Sequence, residues 1–163
     1  MRPAVLKINH IRKVRYYIVL EAAVKKIRVC IDAWGRGALE GRTYNMALRQ
    51  GVHFSDVNQL CSSLENVFEK IKYPAASTQF RVFGKKSWGN AAKKETEQTM
   101  NQDKITDTNP TGKKATFIVQ VMYRQNATWQ GQVVWSEKNE TRQFRSALEL
   151  IKLIDSAAEE SNL

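Results

Sequence analysis

The sequence predicts an α+β protein built from two similar strand-strand-helix units, and two observations lead to that prediction. The first is a hydrophobic pattern that recurs, without a gap, at an offset of 90 residues. The second is the order of periodicities in each copy, where period-two stretches precede a helical stripe. Such a fixed offset is typical of related supersecondary units. The aligned pairs are Val29/Val119, Ile31/Val121, Leu39/Trp129, Gly41/Gly131, Phe54/Phe144, Leu60/Leu150, Cys61/Ile151 and Leu64/Ile154.

The repeat is stronger in pattern than in identity. Residues 27–72 align with residues 117–162 over 46 positions, of which five are identical. Chains of similar composition reach almost this number by chance. The sequence therefore leaves two interpretations open: a true internal duplication, or two unrelated units that share an order of elements.

In the first unit, residues 27–32 alternate between apolar and polar side chains, which predicts a half-buried strand. Gly35 to Gly37 form a turn signal, and residues 38–46 continue as its hairpin partner. Ser55 is the predicted N-cap of the helix that follows, because a hydroxyl can accept a first-turn N–H. The apolar stripe of that helix consists of Val57, Leu60, Cys61, Leu64, Val67, Phe68 and Ile71.

The second unit repeats this order. Two alternating strands, at 117–124 and 128–135, are joined through Gln125, Asn126 and Ala127, which predicts a hairpin. Ser146 and Glu149 have capping-box spacing. The stripe of the last helix consists of Ala147, Leu150, Ile151, Ile154 and Ala158.

These elements divide the chain into three parts. We assign residues 1–84 to a basic N-terminal unit, 85–114 to a flexible polar and basic linker, and 115–163 to a C-terminal hairpin-helix unit. Residues 15–24 are rich in strand formers and 79–83 are predicted as a short strand. Each unit is expected to have its own antiparallel sheet, covered by one amphipathic helix.

The formal net charge of +10 is unevenly distributed. Residues 1–72 carry +7, residues 73–116 carry +4 and residues 117–163 carry −1. A basic arm and linker are attracted to polyanions, and counterion release makes that attraction salt-dependent. The alternative is that the charge serves solubility. The candidate phosphate-contacting residues are Arg2, Lys7, Arg12, Lys13, Arg15, Lys25, Lys26, Arg28, Lys85, Lys86, Lys93 and Lys94.

A second candidate surface lies in the hairpin of the C-terminal unit. Amide and guanidinium groups can read base edges, and they can equally satisfy exposed peptide groups. Simple alternation predicts that Gln120, Arg124, Gln130 and Gln132 share one sheet face, opposite Trp129 and Trp135. The alternative is an ordinary polar sheet face joined by an amide-rich turn. The candidate readout or partner residues are Gln120, Arg124, Gln125, Asn126, Gln130 and Gln132.

Signals for catalysis are weak. The chain has two histidines, His10 and His53, and neither a phosphate-binding loop nor a nucleophile elbow. Asp32 and Glu40 flank one turn, which is a poor basis for a catalytic pair. Cys30 and Cys61 have no zinc-ligand spacing with a histidine, and a cytosolic setting would keep them reduced. We therefore predict a non-enzymatic, cytoplasmic protein without metal, cofactor or membrane association.

The function predicted from these features is association with DNA, RNA or a nucleoprotein complex through the basic arm and linker. An alternative is a protein-binding adaptor or inhibitor of a larger nucleoprotein machine. A weaker alternative is a module that binds a small anionic nucleotide between the units, using Arg36, Arg42 and Arg124.

Overall fold

The computed structural model describes residues 21–35, 38–48, 50–77 and 109–161. Residues 21–24 are helical. Two longer helices and six strands follow. They are β1 (Ile27–Gly35), β2 (Ala38–Tyr44), β3 (Val52–Phe54), α1 (Val57–Ile71), β4 (Ala115–Gln125), β5 (Thr128–Trp135), β6 (Glu140–Phe144) and α2 (Ala147–Glu160).

The α+β class is confirmed, but the six strands form one antiparallel sheet in the order β3-β2-β1-β4-β5-β6. The expected arrangement of a separate sheet for each unit is not what the structure has. Pairing β1 with β4 satisfies backbone groups that two separate sheets would leave at their inner edges. Each half also contains a third strand, β3 or β6, that the sequence pattern did not predict.

The two halves are related by the same offset of 90 residues throughout the sheet. At the centre, Arg28 pairs with Ile118, and these two positions are themselves 90 residues apart. The β1–β2 register shifts after Ile31, and the β4–β5 register shifts after Val121, again 90 residues later. The two halves therefore share their pairing and their irregularities.

The helix starts are also equivalent, although one cap differs from the prediction. Asp56, rather than Ser55, is the N-cap of α1, and its carboxylate accepts from the Gln59 N–H at 2.8 Å. A carboxylate one residue later replaces the hydroxyl in this role. Ser146 caps α2 as predicted and accepts from the Glu149 N–H at 3.1 Å.

Both helices pack on the same face of the sheet. Their apolar stripes meet the strand side chains of one parity, as expected for a two-layer α+β body. The fully buried large side chains of this core are Ile27, Val29, Ile31, Phe54, Leu60, Leu64, Val67, Phe68, Phe117, Phe144, Leu150 and Ile154. The opposite parity defines a second sheet surface, called the outer face below.

Several predictions fall on parts of the chain outside this description. The strand at 79–83, the linker from 85 to 108 and the segment before Glu21 lie outside the described residues. Of the stretch 15–24, only the helical residues 21–24 are described. Within the described ranges, none of the helices has the length and apolar character needed to cross a membrane.

Candidate nucleic-acid interface

The outer face consists of the strand side chains that alternate with the core. Because α1 and α2 cover the other face, these side chains point away from both helices. Its members on β1 and β2 are largely charged, whereas those on β4 to β6 are uncharged. The outer face includes Arg28, Cys30, Asp32, Glu40, Arg42, Tyr44, Ile118, Gln120, Tyr123, Gln130, Gln132, Val134 and Gln143.

In the N-terminal half of the outer face, Arg42 is fixed by an acidic partner. Its Nε and Nη2 donate to the two carboxylate oxygens of Asp32 at 2.9 and 3.1 Å, and Nη1 donates to the Tyr44 hydroxyl at 3.1 Å. Hydrogen bonding to Asp32 raises the pKa of Arg42. Glu40 Oε1 is 3.1 Å from His53 Nε2. Asp32 and Glu40, the two acidic residues that flank the β1–β2 turn, therefore have separate partners.

The segment just before β4 crosses this half of the face. The carbonyl oxygen of Pro110 accepts from Arg28 Nη1 at 3.3 Å and from the Cys30 thiol at 3.4 Å. The backbone N–H of Lys113 donates to Asp32 at 3.2 Å. The C-terminal end of the predicted linker is therefore held on the outer face by defined hydrogen bonds.

The two cysteines are free and show no sign of activation. Cys30 is fully buried beneath this segment, and burial raises the pKa of its thiol to about 11. Burial also raises the pKa of Cys61. A thiol with a raised pKa is a poor nucleophile at neutral pH, because the thiolate is the reactive form.

The C-terminal half of the outer face contains a row of three glutamines. Gln132 on β5 pairs in register with Gln120 on β4 and with Gln143 on β6. The Gln132 side-chain amide donates to that of Gln120 at 3.3 Å. Tyr123 lies further along β4 opposite Gln130 and is 54% exposed. This half thus presents amide groups and an exposed ring.

Arg124 does not belong to this surface, which corrects the prediction from alternation. The register shift between Val121 and Tyr123 inserts one residue and turns Arg124 to the helix side. There it is 7% exposed and forms ion pairs with Glu65 and with Glu69. The expectation for Gln120, Gln130 and Gln132 agrees with the observed register.

The ion pairs of Arg124 with Glu65 and Glu69 join the two halves of the molecule. Trp129 Nε1 donates to Glu65 Oε1 at 2.6 Å, and the Arg124 guanidinium lies 5.4 Å from the centre of the Phe68 ring. The pKa of Glu65 is raised from its usual value, because the effect of burial outweighs the Trp129 hydrogen bond and the Arg124 charge, which both lower it. Arg42 and Arg124 lie on opposite faces, so these two arginines do not line one cleft for a nucleotide.

Most of the net charge lies outside the described residues. The described residues contain 13 Lys and Arg against 12 Asp and Glu, a net of +1 out of the chain's +10. Helices α1 and α2 together hold six acidic and two basic residues, and the Arg124 charge still leaves that layer at −3. The helix layer is therefore acidic. Of the remaining +9, the arm at residues 1–20 carries +5 and the linker residues 85–108 carry +1.

Three of the predicted phosphate-contacting residues are described. Lys25 pairs with Glu21 at 2.7 Å and lies 4.4 Å from the centre of the Tyr73 ring. Lys26 and Arg28 form no ion pair with a described carboxylate. The others lie outside the described residues, namely Arg2, Lys7, Arg12, Lys13, Arg15, Lys85, Lys86, Lys93 and Lys94.

Of the hairpin candidates, Gln125 and Asn126 lie at the tip of the β4–β5 turn and are exposed. Sequence reasoning missed Gln143, because the short strand β6 was not predicted. Gln143 directly precedes the core residue Phe144, so alternation from Phe144 would have placed it on the outer face. In the part of the chain that is described, no three His, Cys, Asp or Glu side chains gather closely enough to hold a metal ion.

Comparison with protein families, curated proteins and solved structures gives no match to this chain.

Proposed function

We propose that this protein is a non-enzymatic nucleic-acid-binding protein that engages DNA, RNA or a nucleoprotein complex with the outer face of its sheet. The basic arm and linker supply most of the phosphate attraction. The folded body supplies the surface against which the nucleic acid lies.

The observation that carries this proposal is the partition of charge between the two layers. A polyanion is repelled by the acidic helix layer, with its net charge of −3, and has no such barrier at the outer face. On the outer face, the Arg28 guanidinium donates only to the Pro110 carbonyl within the described residues. A cation without a carboxylate partner remains available to a phosphate.

The chain path adds support. The linker rejoins the body at Pro110, whose carbonyl contacts Arg28 on the outer face. The arm joins the body just before Lys25 and Lys26, at the start of the central strand β1. Both basic segments therefore connect to the body close to this surface.

We also propose that the two halves arose by internal duplication. The support is the shared register, with equivalent shifts after Ile31 and Val121 and equivalent helix caps. Two unrelated units have no reason to place a bulge at the same aligned position.

A second candidate function is protein binding through β6. This strand pairs only with β5 among the described strands, and residues 140–143 are exposed. An open edge of this kind can accept a strand from a partner.

Binding to nucleic acid is tested by fluorescence anisotropy of labelled single and double strands of DNA and RNA, titrated over a range of salt. The arm variant replaces three cationic residues, Arg12, Lys13 and Arg15, each with glutamine. We expect the full chain to bind with a steep salt dependence. The arm variant should bind roughly tenfold or more weakly, with a salt slope shallower by about 2 to 3, because each of three lost phosphate contacts removes about 0.7 to 0.9 from that slope.

The matched control removes the same charge from the helix side. It replaces three exposed cationic residues of the two helices and their caps, Lys70, Lys72 and Lys152, with glutamine. We expect its affinity and salt slope to stay near those of the parent. An equal loss in both variants would indicate a net-charge effect without a binding surface. No binding at low salt would contradict the proposal and favour the β6 partner surface.

A further inference from the structure

The glutamine row on the C-terminal half of the outer face has chemistry that phosphate attraction alone does not explain. Gln120, Gln132 and Gln143 occupy one in-register line across β4, β5 and β6. The equivalent positions of the N-terminal half hold different side chains, Cys30, Arg42 and His53. Only the C-terminal half therefore presents an uncharged row of hydrogen-bonding groups.

A carboxamide offers both donors and an acceptor, the combination that matches the edge of a base. The Gln132–Gln120 hydrogen bond uses one donor and one acceptor, so other amide groups in the row remain open. The exposed ring of Tyr123 lies beside this row on the same face. An exposed aromatic ring can stack on any base.

The shape of the sheet favours single-stranded over double-stranded nucleic acid. A broad sheet cannot enter the grooves of a duplex in which base edges are displayed, whereas the bases of a single strand can lie flat against it. Neighbouring strands are about 4.8 Å apart, so the glutamine row spans roughly 10 Å. Tyr123 lies three residues along β4 from Gln120, so the two are roughly 10 Å apart. This distance is the length of about three stacked nucleotides.

Cations flank this row. Arg28 pairs with Ile118 on the outer face. Lys26 lies two residues before Arg28, so strand alternation places both on the same face. Continuing the β1–β4 register by one residue brings Lys26 beside Gln120. A strand whose bases lie on β4 to β6 thus meets positive charge along β1.

We propose, as a consequence of the proposed function, that the outer face of β4–β6 binds the bases of single-stranded nucleic acid. Tyr123 stacks on a base, the three glutamines bond to base edges, and Lys26 and Arg28 contact adjacent phosphates. The protein then prefers a single strand to the duplex of the same sequence.

The test uses the full chain and three labelled probes in anisotropy titrations. The probes are a 12-nucleotide single strand of mixed sequence, the same strand with all its bases removed, and the corresponding duplex, each made as DNA and as RNA. The abasic strand keeps every phosphate and loses only the bases. We expect the parent protein to bind the abasic strand and the duplex about tenfold or more weakly than the intact strand.

The variants assign the effect to this surface. Tyr123→Ala and Gln132→Ala should each weaken binding to the intact strand, by about tenfold for the tyrosine, and leave binding to the abasic strand unchanged. Tyr123→Phe keeps the ring and should retain binding. Leu148→Ala, at an exposed position of α2, is the control and should change nothing.

The base-binding proposal is overturned if the parent binds the intact and abasic strands with equal affinity. It is also overturned if neither Tyr123→Ala nor Gln132→Ala changes the affinity for the intact strand. In both cases nucleic-acid binding itself persists, so the proposed function stands. If the parent binds none of the probes, both proposals fail. Circular dichroism and melting temperature of each variant establish that its fold is kept, which is expected because Tyr123 is more than half exposed.

Discussion

Replacing Arg124 with methionine is expected to lower the free energy of unfolding by about 3 kcal/mol. Arg124 is almost fully buried, and its partner Glu65 is largely buried and accepts a hydrogen bond from Trp129. Removing one partner of a buried ion pair leaves the other charge in a poorly solvated site, which costs about 3–5 kcal/mol. The lower value applies because one-fifth of the Glu65 side chain remains exposed.

A double-mutant cycle separates this interaction from lost packing. Adding Glu65→Gln to Arg124→Met removes the stranded carboxylate, so the double variant should recover part of the loss. Urea unfolding measures all four free energies. The control is Arg142→Met, which breaks the exposed pair with Glu140 and should cost no more than about 1 kcal/mol. Costs that add without coupling, or an Arg124 cost equal to the control, would contradict this account.

Replacing Gly131 with alanine is expected to destabilise the fold by about 3 kcal/mol or more. A Cβ at this position would overlap the carbonyl oxygen of Gln120 and would lie 2.9 Å from the Cα of Val121. Both neighbours are backbone atoms of β4, so the strand itself must move to make room. Forced overpacking of this kind costs about 1–3 kcal/mol and sometimes more.

The equivalent residue gives an internal check. A Cβ at Gly41 would overlap the Cys30 carbonyl oxygen and lie 2.7 Å from Cζ of Phe54. We therefore expect Gly41→Ala to destabilise the protein to a similar degree. Gln130→Ala, at the residue before Gly131, should change the free energy of unfolding by no more than about 0.5 kcal/mol. Thermal or urea unfolding of all three variants tests this, and a tolerated alanine at either glycine would refute the close approach.

The sequence predicted the elements whose signal is local. Two hairpins and two helices follow from alternation, from turn residues and from apolar stripes, and the Ser146 cap from its spacing to Glu149. The short strands β3 and β6, of three and five residues, carry too few alternations to stand out. The single sheet depends on β1 pairing with β4 across more than 80 residues of chain, which no local pattern encodes.

The candidate site was predictable to the same extent. Gln120, Gln130 and Gln132 were assigned to one face because they obey the strand period. Arg124 was misassigned because alternation takes no account of the inserted residue at Val121–Tyr123. The net charge of the folded body did not follow from the charge of the N-terminal unit. Residues 1–72 carry +7, yet the described residues together are nearly neutral.

The most direct test of the central claim is a nitrogen-15 NMR titration of the full chain with the 12-nucleotide single strand. We predict that the perturbed signals will be the side-chain amides of Gln120, Gln132 and Gln143 and the backbone amides of β1, β4 and β5. The signals of the exposed residues of α1 and α2 should stay in place. Perturbation confined to the helices, or no perturbation of the body at saturating strand, would contradict binding at the outer face.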